Sequence, residues 1–137
     1  MSIKYLSHTA DIRMLIEAKT LQELFALGVK GMGNILKESF CNDSNKIDVK
    51  NMIELKASDH TNLLIDFLSD ALSSSYIETA IYCTIEIIEF SNYKIRAQLS
   101  GTRIDQFDEE IKAVTYHEAN VKKNDKDLWE TYIIFDI

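Results

Sequence analysis

The hydrophobic periodicities of this chain predict an α+β fold of two layers, in which a largely antiparallel β-sheet packs against two main α-helices. Three observations carry that expectation. Apolar residues recur at helical spacing in two stretches, from Leu21 to Leu36 and from Leu63 to Leu72. Most other patterned stretches alternate apolar and polar residues, as half-buried strands do. Each helix shows a single apolar face, which strands must cover.

Taken in order, Ile3 to Leu6 reads as extended, His8-Thr9-Ala10-Asp11 as a break, and Ile12 to Ala18 as a short strand. Thr20-Leu21-Gln22-Glu23 is a capping box, with Thr20 as the cap and Glu23 reaching back. The helix it opens runs from 21 to about 37, with Leu21, Leu24, Phe25, Val29, Met32 and Leu36 near one face. Gly28, Gly31 and Gly33 each cost it about 1 kcal/mol against alanine and point to close packing on a sheet.

Residues 41 to 46 form a loop by composition. Ile47, Val49, Ile53 and Leu55 then alternate with Asp48, Lys50, Glu54 and Lys56 as a strand. Ser58 or Asp59 caps a second helix, whose apolar positions are Leu63, Leu64, Phe67, Leu68, Ala71 and Leu72, with Asp66 and Asp70 one turn apart. After Ser73-Ser74-Ser75 the period changes to two. Ile81 to Phe90 and Lys94 to Leu99 read as a hairpin around Ser91-Asn92, and Gly101 to Asp105 as a loop. Residues 111 to 121 and 129 to 136 read as two more strands, joined by a polar turn from Lys122 to Asp127. The order is β-β-α-β-α-β-β-β-β. With no repeat, linker or low-complexity segment, residues 1–137 are one expected domain.

The totals bound the function. A formal net charge of −7 suits an acidic surface that does not grip a phosphate backbone unaided. Any involvement with RNA is therefore expected through a protein partner or a metal. Cys41 and Cys83 stand far apart and match no metal spacing, so neither a disulfide scaffold nor a zinc site is implied, and a reducing compartment is the simpler reading. The first residues lack the apolar run of a signal peptide, and no stretch approaches the roughly 20 apolar residues of a membrane span. A cytoplasmic protein with no membrane role is expected.

No GxxxxGK[ST], GxSxG or HExxH motif is present, and His8, His60 and His117 are too dispersed for a zinc signature. The C-terminus is more informative. A strong strand pattern from Trp129 to Phe135 leads into Asp136-Ile137, so the α-carboxylate of Ile137 is expected at a strand end beside the Asp136 side chain. Anionic groups held that close repel unless a cation or donor lies between them. Oxygen-rich anionic sites suit hard cations. Asp11 completes such a site if its loop lies beside this strand; otherwise Asp11 caps a turn and the terminus is merely solvated. In a strand at 111–121, Ala113, Thr115 and His117 share one face, and Lys112, Val114 and Tyr116 the other. Lys112 matters only if it points at a carboxylate or phosphate site, and a structural role is the simpler reading of His117.

Several of these segments together resemble the archease family. They are Tyr5 to Ile12 (YLSHTADI), Thr20 to Phe25, Leu63 to Asp70, Ile111 to His117 (IKAVTYH) and Ile134 to Ile137 (IFDI), in family order from one end of the chain to the other. The HTAD, KAVTYH and FDI pieces are jointly quite specific. The resemblance implies a compact α+β protein that works with an RtcB-type tRNA-splicing RNA ligase, promoting its guanylylation and repeated turnover in tRNA splicing and RNA repair. It implies an activator and not an enzyme, in contact with tRNA only indirectly. It carries over a divalent-cation site at Asp11, Asp136 and Ile137, with Ca²⁺ the first choice and Mg²⁺ or Mn²⁺ also open, and a functional lysine at Lys112. His8, Asp105 and His117 complete the candidate residues. Two departures stand out: Gly101-Thr102 replaces the family's usual Gly-Glu, and Gln106 to Glu110 lack a histidine common after Asp105.

Two further readings remain open. A general protein chaperone or assembly modulator needs no metal and predicts exposed apolar surface. A stand-alone metal-dependent phosphohydrolase needs several carboxylates around one ion. Oligomeric state is left open.

Overall fold

The computed structural model describes residues 1–7, 10–43 and 45–137. Its elements are β1 (Ser2–Ser7), β2 (Asp11–Ala18), α1 (Leu21–Leu36), a 3-10 turn (Phe40–Asn42), β3 (Val49–Lys56) and α2 (His60–Glu78). Then come β4 (Ala80–Phe90), β5 (Lys94–Arg103), β6 (Ala113–Thr115), β7 (Lys122–Lys123) and β8 (Trp129–Asp136). The α+β class and the antiparallel pairing are as the sequence predicts.

The strands divide between two sheets. One has the order β1-β2-β8-β6, with β7 also on β8; the other is β3-β5-β4. Every pairing is antiparallel. Both helices touch strands of both sheets: α1 packs on β2 and β4, and α2 on β3, β4 and β6. The helices therefore have a sheet on either side, where the sequence suggested one covered face each. This is why α2 buries Ile65, off the predicted stripe, together with Leu63, Leu64, Phe67, Leu68, Ala71 and Leu72. It is also why α1 carries glycines. A side chain at Gly31 would run into Met14 of β2, and one at Gly33 would meet Ile81 and Tyr82 of β4, so α1 is held close on two sides.

Caps delimit the helices. Thr20 Oγ1 accepts from the Glu23 amide at 3.1 Å and Asp59 Oδ1 from the Asn62 amide at 2.8 Å. The return half of the capping box is absent among the described residues, where Glu23 Oε2 is buried with no hydrogen-bond partner. Helix α2 does not end at the serines: Ser75 is buried inside it, and it stops at Thr79 in the left-handed region at φ 50°.

Two other expectations change. Gly101 to Arg103, read as loop, belong to β5, because β4 pairs with all three, Gly101 also meets Val49 of β3, and the Arg103 amide donates to Asp48 Oδ1 at 2.9 Å. The strand expected over 111–121 keeps only Ala113–Thr115. The chain turns at Glu118, which has φ 60°, and the Asn120 amide donates to Thr131 Oγ1 at 2.9 Å instead of joining a ladder.

The third correction concerns cysteine. Cys41 and Cys83 form a disulfide, with Cα atoms 5.3 Å apart across a sequence separation of 42. Their distance in sequence hid an adjacency that packing of α1 on β4 creates. No helix among the described residues is long and apolar enough to cross a membrane.

Candidate metal centre

The first residue of β2 and the last of β8 are cross-strand partners: Asp11 pairs with Asp136. On the other side of β8, Asp136 pairs with Ala113 of β6. Directly opposed residues of an antiparallel ladder project to the same face, with Cβ atoms about 4.5–5.5 Å apart. Two carboxylates therefore share one spot on the outer face of this sheet, the face opposite buried Met14, Ile16, Ile133 and Phe135.

The backbone around the pair is tied on both sides. The Lys112 amide donates to the Asp136 carbonyl at 2.6 Å, and the Ile137 amide stands 3.5 Å from the Ala10 carbonyl. Asp136 is exposed and Asp11 half-buried. Asp11 Oδ1 is closed off from solvent and has no hydrogen-bond partner among the described residues. A buried carboxylate oxygen left unpaired costs on the order of 1–3 kcal/mol or more. A bound cation would remove that cost, and two carboxylates with backbone oxygens nearby are a hard-cation donor set. The residues present thus fit the group.

The neighbouring cation does not neutralise the pair. Arg13, two residues along the same face, donates from Nη2 to Glu118 Oε1 at 2.8 Å and lies over the Tyr132 ring at 4.8 Å from its centroid. Its Nε is buried without a partner, as is Oγ1 of Thr115. Arg13 and Thr115 flank Ile134 in register, one step from the Asp11–Asp136–Ala113 row. Sequence reasoning missed both; position i+2 from Asp11 was the signal that Arg13 shares its face.

The other candidates fall as follows. Lys112 reaches the site through its backbone, and its exposed side chain enters none of the ion pairs among the described residues. His117 is exposed beyond the end of β6, so it does not share a strand face with Ala113 and Thr115. Asp105 is exposed in the connection after β5, and no hydrogen bond among the described residues joins it to Asp11 or Asp136. His8 lies outside the described residues. Among the described residues no three His, Cys, Asp or Glu side chains gather as a metal-holding group; Ile137, the third ligand expected from the sequence, would contribute only a backbone or terminal oxygen.

A second acidic pair lies on α2. Tyr116 donates its phenol to Asp66 Oδ1, and this bond, with some burial, raises the Tyr116 pKa. Burial and the neighbouring Asp66 raise that of Asp70, although Asp70 stands largely at the surface.

The family model that matches residues 4–137 is that of the archease protein family (MTH1598/TM1083). The chain belongs to the archease family. It is 33% identical to protein archease of Methanosarcina barkeri over 144 residues, covering 98% of this chain and 94% of that protein. It is 30% identical to an archease-like protein of Dictyostelium discoideum, covering 99% and 93%. Among solved structures it is similar to protein 1598 of Methanobacterium thermoautotrophicum, with a TM-score of 0.79 at 20% identity, covering 98% of both chains. It is also similar to a crystal structure from Thermotoga maritima described as an archease and possible chaperone, with a TM-score of 0.66 at 22% identity, covering 98% of this chain and 96% of that one. These structural likenesses bear on the archease fold alone.

Proposed function

We propose that this archease-family chain is a metal-binding accessory protein that activates an RtcB-type RNA ligase in the cytoplasm, promoting its guanylylation and multiple turnover in tRNA splicing and RNA repair. It performs no reaction of its own in this reading. Family membership supports the ligase. One observation supports the metal: Asp11 sets a buried, partnerless carboxylate oxygen opposite Asp136. The proposed ligands are Asp11, Asp136 and an oxygen of Ile137, and the ion is divalent, Ca²⁺, Mg²⁺ or Mn²⁺.

A divalent ion there supplies a fixed positive charge at the sheet surface. The chain's own residues position it. The β2–β8 register holds the two carboxylates opposed, and the Lys112 amide fixes the carbonyl of Asp136. The exposed Lys112 ammonium is available to a phosphate or carboxylate of the partner. The net charge of −7 agrees with RNA being met only through that partner.

The test is a multiple-turnover ligation and guanylylation assay of the matched ligase, with and without the chain and its Asp11→Ala variant. Wild type accelerates turnover and the variant does not. No effect of wild type overturns the activator reading. The chaperone reading draws on the description of the Thermotoga relative and on exposed Ile77 and Tyr93. It predicts that a folded Asp11→Ala protein keeps full activity.

A further inference from the structure

The Cys41–Cys83 bond is placed by separate local devices. Cys83 is the extra residue of a bulge in β4: Tyr82 pairs with Gly101 and Thr84 with Ser100, which leaves Cys83 out of the ladder. Bulges re-aim side chains in this way. Cys41 sits in the 3-10 turn, where its amide donates to Asn34 Oδ1 at 2.7 Å. Its sulfur fits because residue 33 is glycine; a Cβ there would stand 2.7 Å from Cys41 Sγ. Both cysteines line an open cleft of about 260 Å³, together with Lys30, Asp43, Thr84 and Thr102. Cys83 is half-buried, so the cleft gives a small molecule access to the bond.

We propose that this cleft is a thiol–disulfide exchange site. It takes small monothiols, and the Cys41–Cys83 bond opens and closes with the thiol poise, releasing and re-anchoring the Phe40–Asn42 turn. A monothiol thiolate attacks the sulfur of Cys83, the more exposed of the two residues. A new S–S bond forms there as the Cys41–Cys83 bond breaks, and Cys41 leaves as a thiolate that takes a proton from solvent. A second monothiol attacks the mixed disulfide and frees Cys83. Two thiols are oxidised to one disulfide, and the protein gains two electrons and two protons. Lys30 lines the cleft, with Asp43 also present, and a cation near a departing thiolate favours it.

Opening is local by construction. Besides the sulfur bridge, the turn is held by two backbone bonds, to the Lys37 and Ser39 carbonyls, by packing of Phe40 on the core, and by side-chain hydrogen bonds, among them Cys41 to Asn34, Asn34 to Asn42 at 3.2 Å and Asn45 to the Phe40 carbonyl at 2.8 Å. The β3-β5-β4 ladder does not depend on it. Small units tied mainly by such contacts open at low free energy. The inference is independent of the ligase reading.

The test equilibrates the full chain in buffers of set reduced-to-oxidised glutathione ratio, quenches with acid, alkylates and reads intact mass. Hydrogen exchange over residues 37–48 is followed in parallel. The crosslinked fraction should track the ratio reversibly, and amides of the turn should exchange at least about tenfold faster when the bond is open, under conditions in which α2 and β8 stay protected. Lys30→Gln should slow opening several-fold and Lys30→Arg restore it. Thiols that stay free in oxidised glutathione would overturn the proposal. So would a bond that resists excess reduced glutathione in the folded protein, or an exchange pattern that ignores the bond. Cys83→Ser supplies a permanently open reference; should it not fold, the wild-type measurements decide alone.

Discussion

Asp11 and Asp136 face each other across β2 and β8, and one of the four carboxylate oxygens is sealed from water with no hydrogen-bond partner among the described residues. Like charges directly opposed in a ladder destabilise it by roughly 0.2–1 kcal/mol. The sheet tolerates the pair at the end of both strands, where a cation can enter.

Asp11→Asn and Asp136→Asn should each lower divalent-cation affinity by about tenfold or more, since each removes a charged ligand. Without metal the same variants should be as stable as wild type or up to about 1 kcal/mol more stable, because a like-charge contact is gone. Calorimetric titration with Mn²⁺ or Ca²⁺ and urea denaturation read the two effects. Unchanged affinity in both variants removes the metal centre.

A short C-terminal extension after Ile137 should weaken cation binding and leave the unfolding free energy from urea titration within about 0.5 kcal/mol of wild type, since no side chain changes. Binding equal to wild type would show that no terminal oxygen serves the ion.

The disulfide closes a ring between residues 41 and 83. Chain-entropy arguments put such a ring between about 3 and 4.7 kcal/mol of stability. Reduction should therefore lower the melting temperature by about 10 °C or more. Scanning calorimetry of oxidised and reduced, alkylated protein measures it; coincident transitions would contradict the pairing.

Glycines of α1 should separate by what they face. Gly28→Ala meets the flexible ends of Leu68 at 3.2 and 3.3 Å and of Leu64 at 3.7 Å, so the gain of about 1 kcal/mol in helix propensity should leave it neutral or slightly stabilising. Gly33→Ala meets Cys41 Sγ and, at 3.0 Å, the Tyr82 carbonyl, and should cost about 1–3 kcal/mol. Denaturant titration of the two variants side by side makes the comparison.

Alkaline pH should destabilise the chain. Burial raises the pKa of Tyr5, against a lowering contact from Asn34, and also raises that of Tyr76, which the backbone bond with Ile111 only partly offsets. Both phenols donate to carbonyls, Tyr5 to Gly31 at 2.9 Å and Tyr76 to Ile111 at 2.7 Å. A raised folded-state value means the proton is held more tightly in the folded chain. This stability is complete below about pH 10 and falls as pH rises from there through the folded values. Tyr76→Phe should cost about 1–3 kcal/mol at pH 7, because it strands the amide and carbonyl of Ile111, and should flatten the alkaline decline. Thermal unfolding from pH 7 to 11 tests both statements.

The sequence by itself determined the elements whose signals are local. The caps at Thr20 and Asp59, the hairpin around Ser91-Asn92 and the strand from Trp129 rest on residues a few positions apart, and each is where the pattern puts it. It offered Asp11 as a neighbour of Asp136 on the condition that the early segment lay beside the last strand, and the β2–β8 register meets that condition. Local patterns failed where distant chain supplied the partner: the serines stay helical because α2 is enclosed by both sheets, and 111–121 breaks because Tyr116 and Asn120 find Asp66 and Thr131.

Only the tertiary structure decided that the strands form two sheets, that Cys41 meets Cys83, and that Arg13 and Thr115 border the acidic pair with buried unpaired atoms. Periodicity reports which face of an element is apolar, whereas it carries no record of how many neighbours will cover that element. Contacts between residues 42 or 125 positions apart arise from packing the whole chain, and no spacing rule encodes them.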